Sequence, residues 1–289
     1  MAARRWVIAL ILLPLLAVPA VPAQAEDAVA RYVALGDSFT AGPLIPVQYG
    51  TPLGCLRSTN NYPAVVARRL GPGAFVDVSC SGADTGDMTS PQDVTLGTNP
   101  PQFNALTADT TLVTVGIGGN DIGYTGIVQT CAELSFTNPF GAPCKARFGS
   151  RLDQRIADTA PKVATVLEGI RQRAPQAQVL VVGYLRLLPS GRGCWPVVPL
   201  AWGDVPFLDG VERSLNDMLA DEAQQHGARF VDAYAGGDGH DMCALPTQKW
   251  VEGLIPTSPA APIHPNATGM RVVADRVAAA VSAAVSADR

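Results

Sequence analysis

Five short runs of β-branched and aliphatic residues recur along the chain: Tyr32–Leu35, Phe75–Val78, Thr111–Val115, Val179–Val182 and Arg229–Val231. Each is nearly continuously apolar at its centre, the pattern of a strand covered on both faces rather than one. Between these runs the apolar spacing changes to three and four. Leu152, Ile156, Ala160, Val163, Leu167 and Ile170 fall on one stripe of a helix over 152–170. A second stripe, Val211, Leu215, Met218 and Leu219, stops at His226-Gly227, and a third runs from Ala267 through Val273, Val277 and Val281 to Val285. Strands alternating with helices predict βαβ units and right-handed crossovers. The expected fold class is α/β, a single doubly wound five-stranded parallel sheet with helices on both faces. Gly/Pro-rich segments at 40–62, 84–102, 124–148 and 186–207 exceed ordinary connections and are expected to be functional loops. No internal repeat, charge block or domain boundary interrupts the pattern.

Composition supports a packed core. Of 289 residues 47% are hydrophobic and 16% charged, which excludes disorder and collagen-like architecture. The 25 acidic against 21 basic side chains argue against a charge-driven nucleic-acid binder.

Residues 1–25 stand apart. Arg4-Arg5, an apolar run from Trp6 to Val18 and the exit Ala23-Gln24-Ala25 have the form of a secretory signal peptide. The apolar run is shorter than the ~20 residues that span a bilayer. The expectation is an extracellular mature chain, 26–289, in which loss of Arg4 and Arg5 leaves 19 basic against 25 acidic residues. All six cysteines, Cys55, Cys80, Cys131, Cys144, Cys194 and Cys243, lie in that part. An even count in an oxidising compartment argues for bridges. Fifteen pairings are open, and nearest-neighbour pairing is expected because each such bridge would tie down a Gly/Pro-rich loop. A zinc site competes poorly, since no C-x-x-C occurs and the histidines lack ligand spacing.

Candidate chemistry gathers at strand ends. The first strand runs into Leu35-Gly36-Asp37-Ser38-Phe39-Thr40-Ala41-Gly42. In an open parallel sheet the ligand crevice lies beyond the carboxyl ends of the strands, so Ser38 is either a reactive hydroxyl on a sharp turn or a simple helix cap. The third strand runs into Gly116-Ile117-Gly118-Gly119-Asn120-Asp121, onto which neither nucleotide-loop pattern can be laid. Asn120 there either donates its amide to an oxyanion or sits in a left-handed turn. Ser79-Cys80-Ser81-Gly82-Ala83-Asp84 places Gly82 at the same edge.

Three histidines exist. His226 at a probable helix end and His240 in a Gly/Asp loop read as structural. His264, in Ala261-Pro262-Ile263-His264-Pro265-Asn266 just before the last helix, is the candidate base, with prolines on both sides limiting the backbone.

Taken together, these segments resemble the SGNH (GDSL) hydrolase family, in its secreted actinobacterial lipase and esterase branch. The resemblance runs from Tyr32 to about Arg276, with Ser38, Gly82, Asn120 and His264 matching the four blocks in order. It implies a flavodoxin-like three-layer sandwich and ester hydrolysis by a Ser38 acyl-enzyme, with His264 as base. It also implies an oxyanion hole from the Ser38 and Gly82 N–H groups and the Asn120 amide, with neither metal nor cofactor. The chain departs from the pattern at Ala261, where many relatives carry an acid. A Ser–His dyad is therefore expected, with the imidazole oriented by the backbone carbonyl of Ala261 or Pro262. An acid from another loop, Asp238 or Asp241, is the alternative.

The expected partner is a small-molecule or lipid ester, with at most transient contact with a lipid surface, no nucleic acid and a monomeric state. Apolar stretches such as Pro43–Pro46 and Trp195–Phe207 are expected to line an acyl groove, unless they only pack the loops. A carbohydrate acetyl-esterase and a catalytically inactive secreted binding module are the rival readings.

Overall fold

The computed structural model describes residues 29–287; the expected signal peptide lies outside them. In chain order the strands are β1 (Arg31–Gly36), β2 (Gln48–Tyr49), β3 (Arg57–Ser58), β4 (Ala74–Asp77), β5 (Gln92–Val94), β6 (Gly97–Asn99), β7 (Leu112–Gly116), β8 (Gln178–Val182) and β9 (Arg229–Val231). The helices are α1 (Ser38–Ala41), α2 (Tyr62–Leu70), α3 (Tyr124–Ser135), α4 (Pro143–Phe148), α5 (Arg151–Arg173), α6 (Val205–Gln225) and α7 (Ala267–Ala287).

The five expected strands form one parallel sheet in the order β4-β1-β7-β8-β9. Its centre is buried at consecutive positions: Tyr32 to Gly36 of β1 and every residue of β7. Successive strand side chains point to opposite faces, so such burial requires cover on both. Helix pairs α2 with α7 and α5 with α6 supply it. Leu35, Leu112, Leu180 and Ile170 are fully buried in this core, each contributing ~1.5–3 kcal/mol by leaving water. The small ribbons β2–β3 and β5–β6 sit in the loops that follow β1 and β4.

One expectation fails. Segment 124–148 is not an open loop but holds α3 and α4. Their sequences carry a Gly, a Pro and several β-branched residues, so local preference for helix is weak. Tertiary burial of Ile127, Val128 and Cys131, and the bridge from Cys131 to Cys144, hold them instead. The other two bridges join Cys55 to Cys80 and Cys194 to Cys243.

Candidate active site

Ser38 is the first helical residue after β1. The turn that exposes it depends on Gly36, whose φ of +145° is a conformation open to glycine. A Cβ there would stand 2.6 Å from the Gly116 carbonyl oxygen. The helix cap is Asp37 and not Ser38: Asp37 Oδ1 accepts the Phe39 N–H at 2.8 Å. Gln102 steadies the same turn, its amide exchanging hydrogen bonds with both the N–H and the C=O of Gly36 at 2.8 and 2.9 Å. With capping assigned to its neighbour, the Ser38 hydroxyl is left for the cleft.

His264 meets it. The imidazole Nε2 lies 2.7 Å from Ser38 Oγ, across 226 residues of sequence, and Nδ1 lies 2.7 Å from the Pro262 carbonyl oxygen. A carbonyl only accepts, so Nδ1 carries the proton and Nε2 is the lone-pair nitrogen facing the hydroxyl. Of the two carbonyls expected to orient the ring, Pro262 does so. The Ala261 carbonyl instead accepts the backbone N–H of His264 at 3.3 Å, closing the turn. Between them Ile263 takes φ +65°, a costly conformation for a β-branched side chain that only a surrounding frame can impose.

That frame is a buried carboxylate the sequence reading passed over. Glu252 Oε2 accepts the N–H and hydroxyl of Thr257 at 2.7 and 2.8 Å, and Oε1 accepts the Asn266 amide at 2.8 Å. Burial pushes its acidity down, but these donors outweigh burial and hold the carboxyl below its usual range. The backbone N–H of Glu252 also donates to the His264 carbonyl at 2.9 Å. Burial in turn pushes the imidazole of His264 below 6.5, opposed by its bond to Pro262, which favours the neutral base.

Neither alternative acid reaches the ring. Asp238 is 81% exposed and pairs with Arg186. Asp241 accepts the Cys243 N–H at 2.8 Å. His240 stacks on Trp250 and its Nδ1 meets the Gln248 carbonyl, while His226 lies near Glu222 and Glu168 at the end of α6.

Asn120 is outside the left-handed region; Gly118 and Gly123 take the positive φ angles around it. One N–H of its amide donates to the Ala83 carbonyl at 2.8 Å, which ties it to the turn containing Gly82, where φ is +82°. Asn120, Ser38 and His264 line one cleft, together with Phe39, Leu187, Leu215 and Ile263. Gly82 is not among the residues that line it.

The stretches 43–46 and 195–207 do not line it either. Trp195 packs on Phe136 and Trp202 on Phe140, while Val198, Leu200 and Val205 are buried in the core. These residues hold loops onto the sheet.

The GDSL-like lipase/acylhydrolase family matches residues 34–272. Lipase 2 of Streptomyces coelicolor is 40% identical over 262 residues, 89% of this chain and 87% of its own. Among solved structures, phospholipase A1 from Streptomyces albidoflavus NA297 superposes with a TM-score of 0.73 at 28% identity, covering 87% of this chain and 99% of its own. An extracellular lipase from Streptomyces rimosus gives 0.70 at 29% identity, over 86% and 99%. On this breadth of match, the chain belongs to the GDSL-like lipase/acylhydrolase family, in the branch of actinobacterial lipases, and is a carboxylic ester hydrolase.

Proposed function

We propose that the protein is a secreted serine esterase or lipase that cleaves fatty-acyl esters through a covalent acyl-enzyme on Ser38. The observation that carries this reading is the Ser38 Oγ to His264 Nε2 contact of 2.7 Å, with the ring tautomer set by Pro262. In the first step Nε2 takes the hydroxyl proton as Oγ attacks the ester carbonyl carbon. The tetrahedral intermediate then collapses, the imidazolium protonates the departing alkoxide, and the acyl group stays on Ser38. Water, deprotonated by the same Nε2, attacks the acyl carbon and releases the acid.

Negative charge on the carbonyl oxygen would be met by the Ser38 and Gly82 N–H groups and by the second amide proton of Asn120. One such donor is typically worth ~2.7–4 kcal/mol in the transition state. With Pro262 orienting the base, a dyad suffices. The apolar walls of the cleft favour an acyl chain, and the relatives named lipase and phospholipase A1 support a lipid ester. The Arg4-Arg5 start, the apolar run and the small-residue exit support export and a mature chain beginning near Glu26.

A fluorophosphonate probe followed by mass spectrometry tests this. The expected result is one adduct on Ser38, absent from Ser38→Ala, with turnover of nitrophenyl esters lost in the same variant. An adduct elsewhere, or an unlabelled protein that still hydrolyses esters, would overturn the assignment.

A further inference from the structure

The cleft contains two polar side chains that this mechanism does not use. Glu212, on α6, is 1% exposed, and Tyr124, at the start of α3, is 9% exposed; both line the cavity that Ser38 and His264 open into. Glu212 Oε2 accepts the Leu187 N–H at 3.1 Å. Its other oxygen, Oε1, and the Tyr124 hydroxyl are buried and meet no hydrogen-bonding group among the described residues. Buried polar atoms are nearly always paired, so two orphans on side chains that line one cavity call for a partner.

Among the described residues no cation forms an ion pair with Glu212, although the charge of Arg186 attracts it. The two guanidinium groups nearby are committed to Asp209, Arg186 at 3.5 Å and Arg213 at 3.3 Å, and Arg186 also pairs with Asp238. Burial pushes the Glu212 carboxyl well above its ordinary range, and neighbouring Asp209 adds to the push. That direction favours the protonated carboxyl, and because Oε2 is the acceptor for Leu187, a proton held there belongs on Oε1. Burial, and then the adjacent Glu212, likewise keep the Tyr124 phenol protonated. Each atom can donate one hydrogen bond and accept another.

We infer that Glu212 and Tyr124 form a polar subsite in the acyl cleft, which takes a hydroxyl or carbonyl oxygen carried by the part of the ester that enters it. The preferred substrates are then oxygen-substituted acyl esters rather than plain hydrocarbon ones. The inference rests on the ester-hydrolase reading centred on Ser38 and adds to it a substrate class. Plain alkyl chains leave both polar atoms unpaired, and sites built to hydrogen-bond a substrate hydroxyl discriminate strongly against the analogue lacking it.

The test compares nitrophenyl octanoate with nitrophenyl hydroxyoctanoates in which the hydroxyl is moved along the chain. The expected result is that at least one isomer exceeds octanoate in kcat/KM by about tenfold or more, and that Tyr124→Phe collapses this ratio. Glu212→Leu collapses it too, while Glu212→Gln, whose amide still donates, retains part of it. Tyr124→Phe changes no shape, so the test survives if Glu212→Leu does not fold. A protein that is labelled at Ser38 and turns over octanoate, yet prefers no hydroxylated isomer or keeps its preference in Tyr124→Phe, overturns the subsite and leaves the hydrolase standing. A protein that hydrolyses no ester and takes no label overturns both.

Discussion

Tyr184 joins the two loops on which the site is built: its hydroxyl donates to Asp37 Oδ2 at 2.6 Å and accepts the N–H of Gly119 at 2.7 Å. Asp37 precedes Ser38 and Gly119 precedes Asn120, so one phenol oxygen ties the two turns together. Removing it in Tyr184→Phe leaves one buried carboxyl oxygen, Asp37 Oδ2, and a buried N–H without partners. The expected cost is ~1–3 kcal/mol of stability for each orphaned group, read by urea denaturation, together with a lower kcat.

Asp37 also makes stability depend on pH in a defined direction. Burial raises its carboxyl from 3.8 to about 7, against the pull of Tyr184 and the Phe39 N–H. Between those values the folded protein keeps a proton that the unfolded chain has released. The native state therefore binds more protons, and stability falls as pH rises through that window. The Asp37→Asn variant lacks this term. The stability of the wild type relative to Asp37→Asn should fall by roughly 4 kcal/mol across it, at ~1.4 kcal/mol per unit. A pH-independent difference would show that Asp37 stays ionised in the fold.

The pH profile of activity follows from His264. In the proposed mechanism neutral imidazole is the base, and burial lowers its pKa below 6.5. The rising acid limb of kcat/KM should have its midpoint below 6.5, so that the enzyme stays active in mildly acid solution. A midpoint above that value would mean that charge on His264 is stabilised by something other than Pro262.

Asn120→Ala should reduce kcat by ~10²–10³-fold with KM little changed, because the amide acts on the transition state. Circular dichroism should still show a folded protein, since only the bond to Ala83 is lost from the ground-state structure.

Asp238→Asn and Asp241→Asn should keep kcat within a few-fold of wild type, since neither carboxylate bonds the imidazole. A fall as deep as that of His264→Ala would restore a triad acting through motion of the 238–241 loop.

Replacing Cys194 and Cys243 together by Ser opens a loop of 49 residues. The expected loss is ~2–4 kcal/mol, measured as a lower unfolding midpoint that reductant reproduces in the wild type.

Much of this protein is written in its one-dimensional pattern. Unbroken apolar runs such as Tyr32–Leu35 identify the central strands because a doubly covered strand has no polar face to alternate. Glycine on the approach to Ser38 and Asn120, and proline around His264, mark the turns because backbone torsion is a local property. What the pattern left undetermined is pairwise and distant. Helix α3 is helical through burial and a bridge, not through propensity. The sequence narrowed the group that orients His264 to the carbonyl of Ala261 or Pro262, and only the fold chose Pro262. Glu252 and Tyr184 matter only because folding brings them against Asn266 and Asp37, and Tyr184 crosses 147 positions to do so. The amino-acid order thus determined where the chain turns and which faces avoid water, since these depend on a few adjacent residues. Only the tertiary structure decided which buried polar atoms find partners and which, like those of Glu212 and Tyr124, do not, because hydrogen bonding is settled at about 3 Å in space.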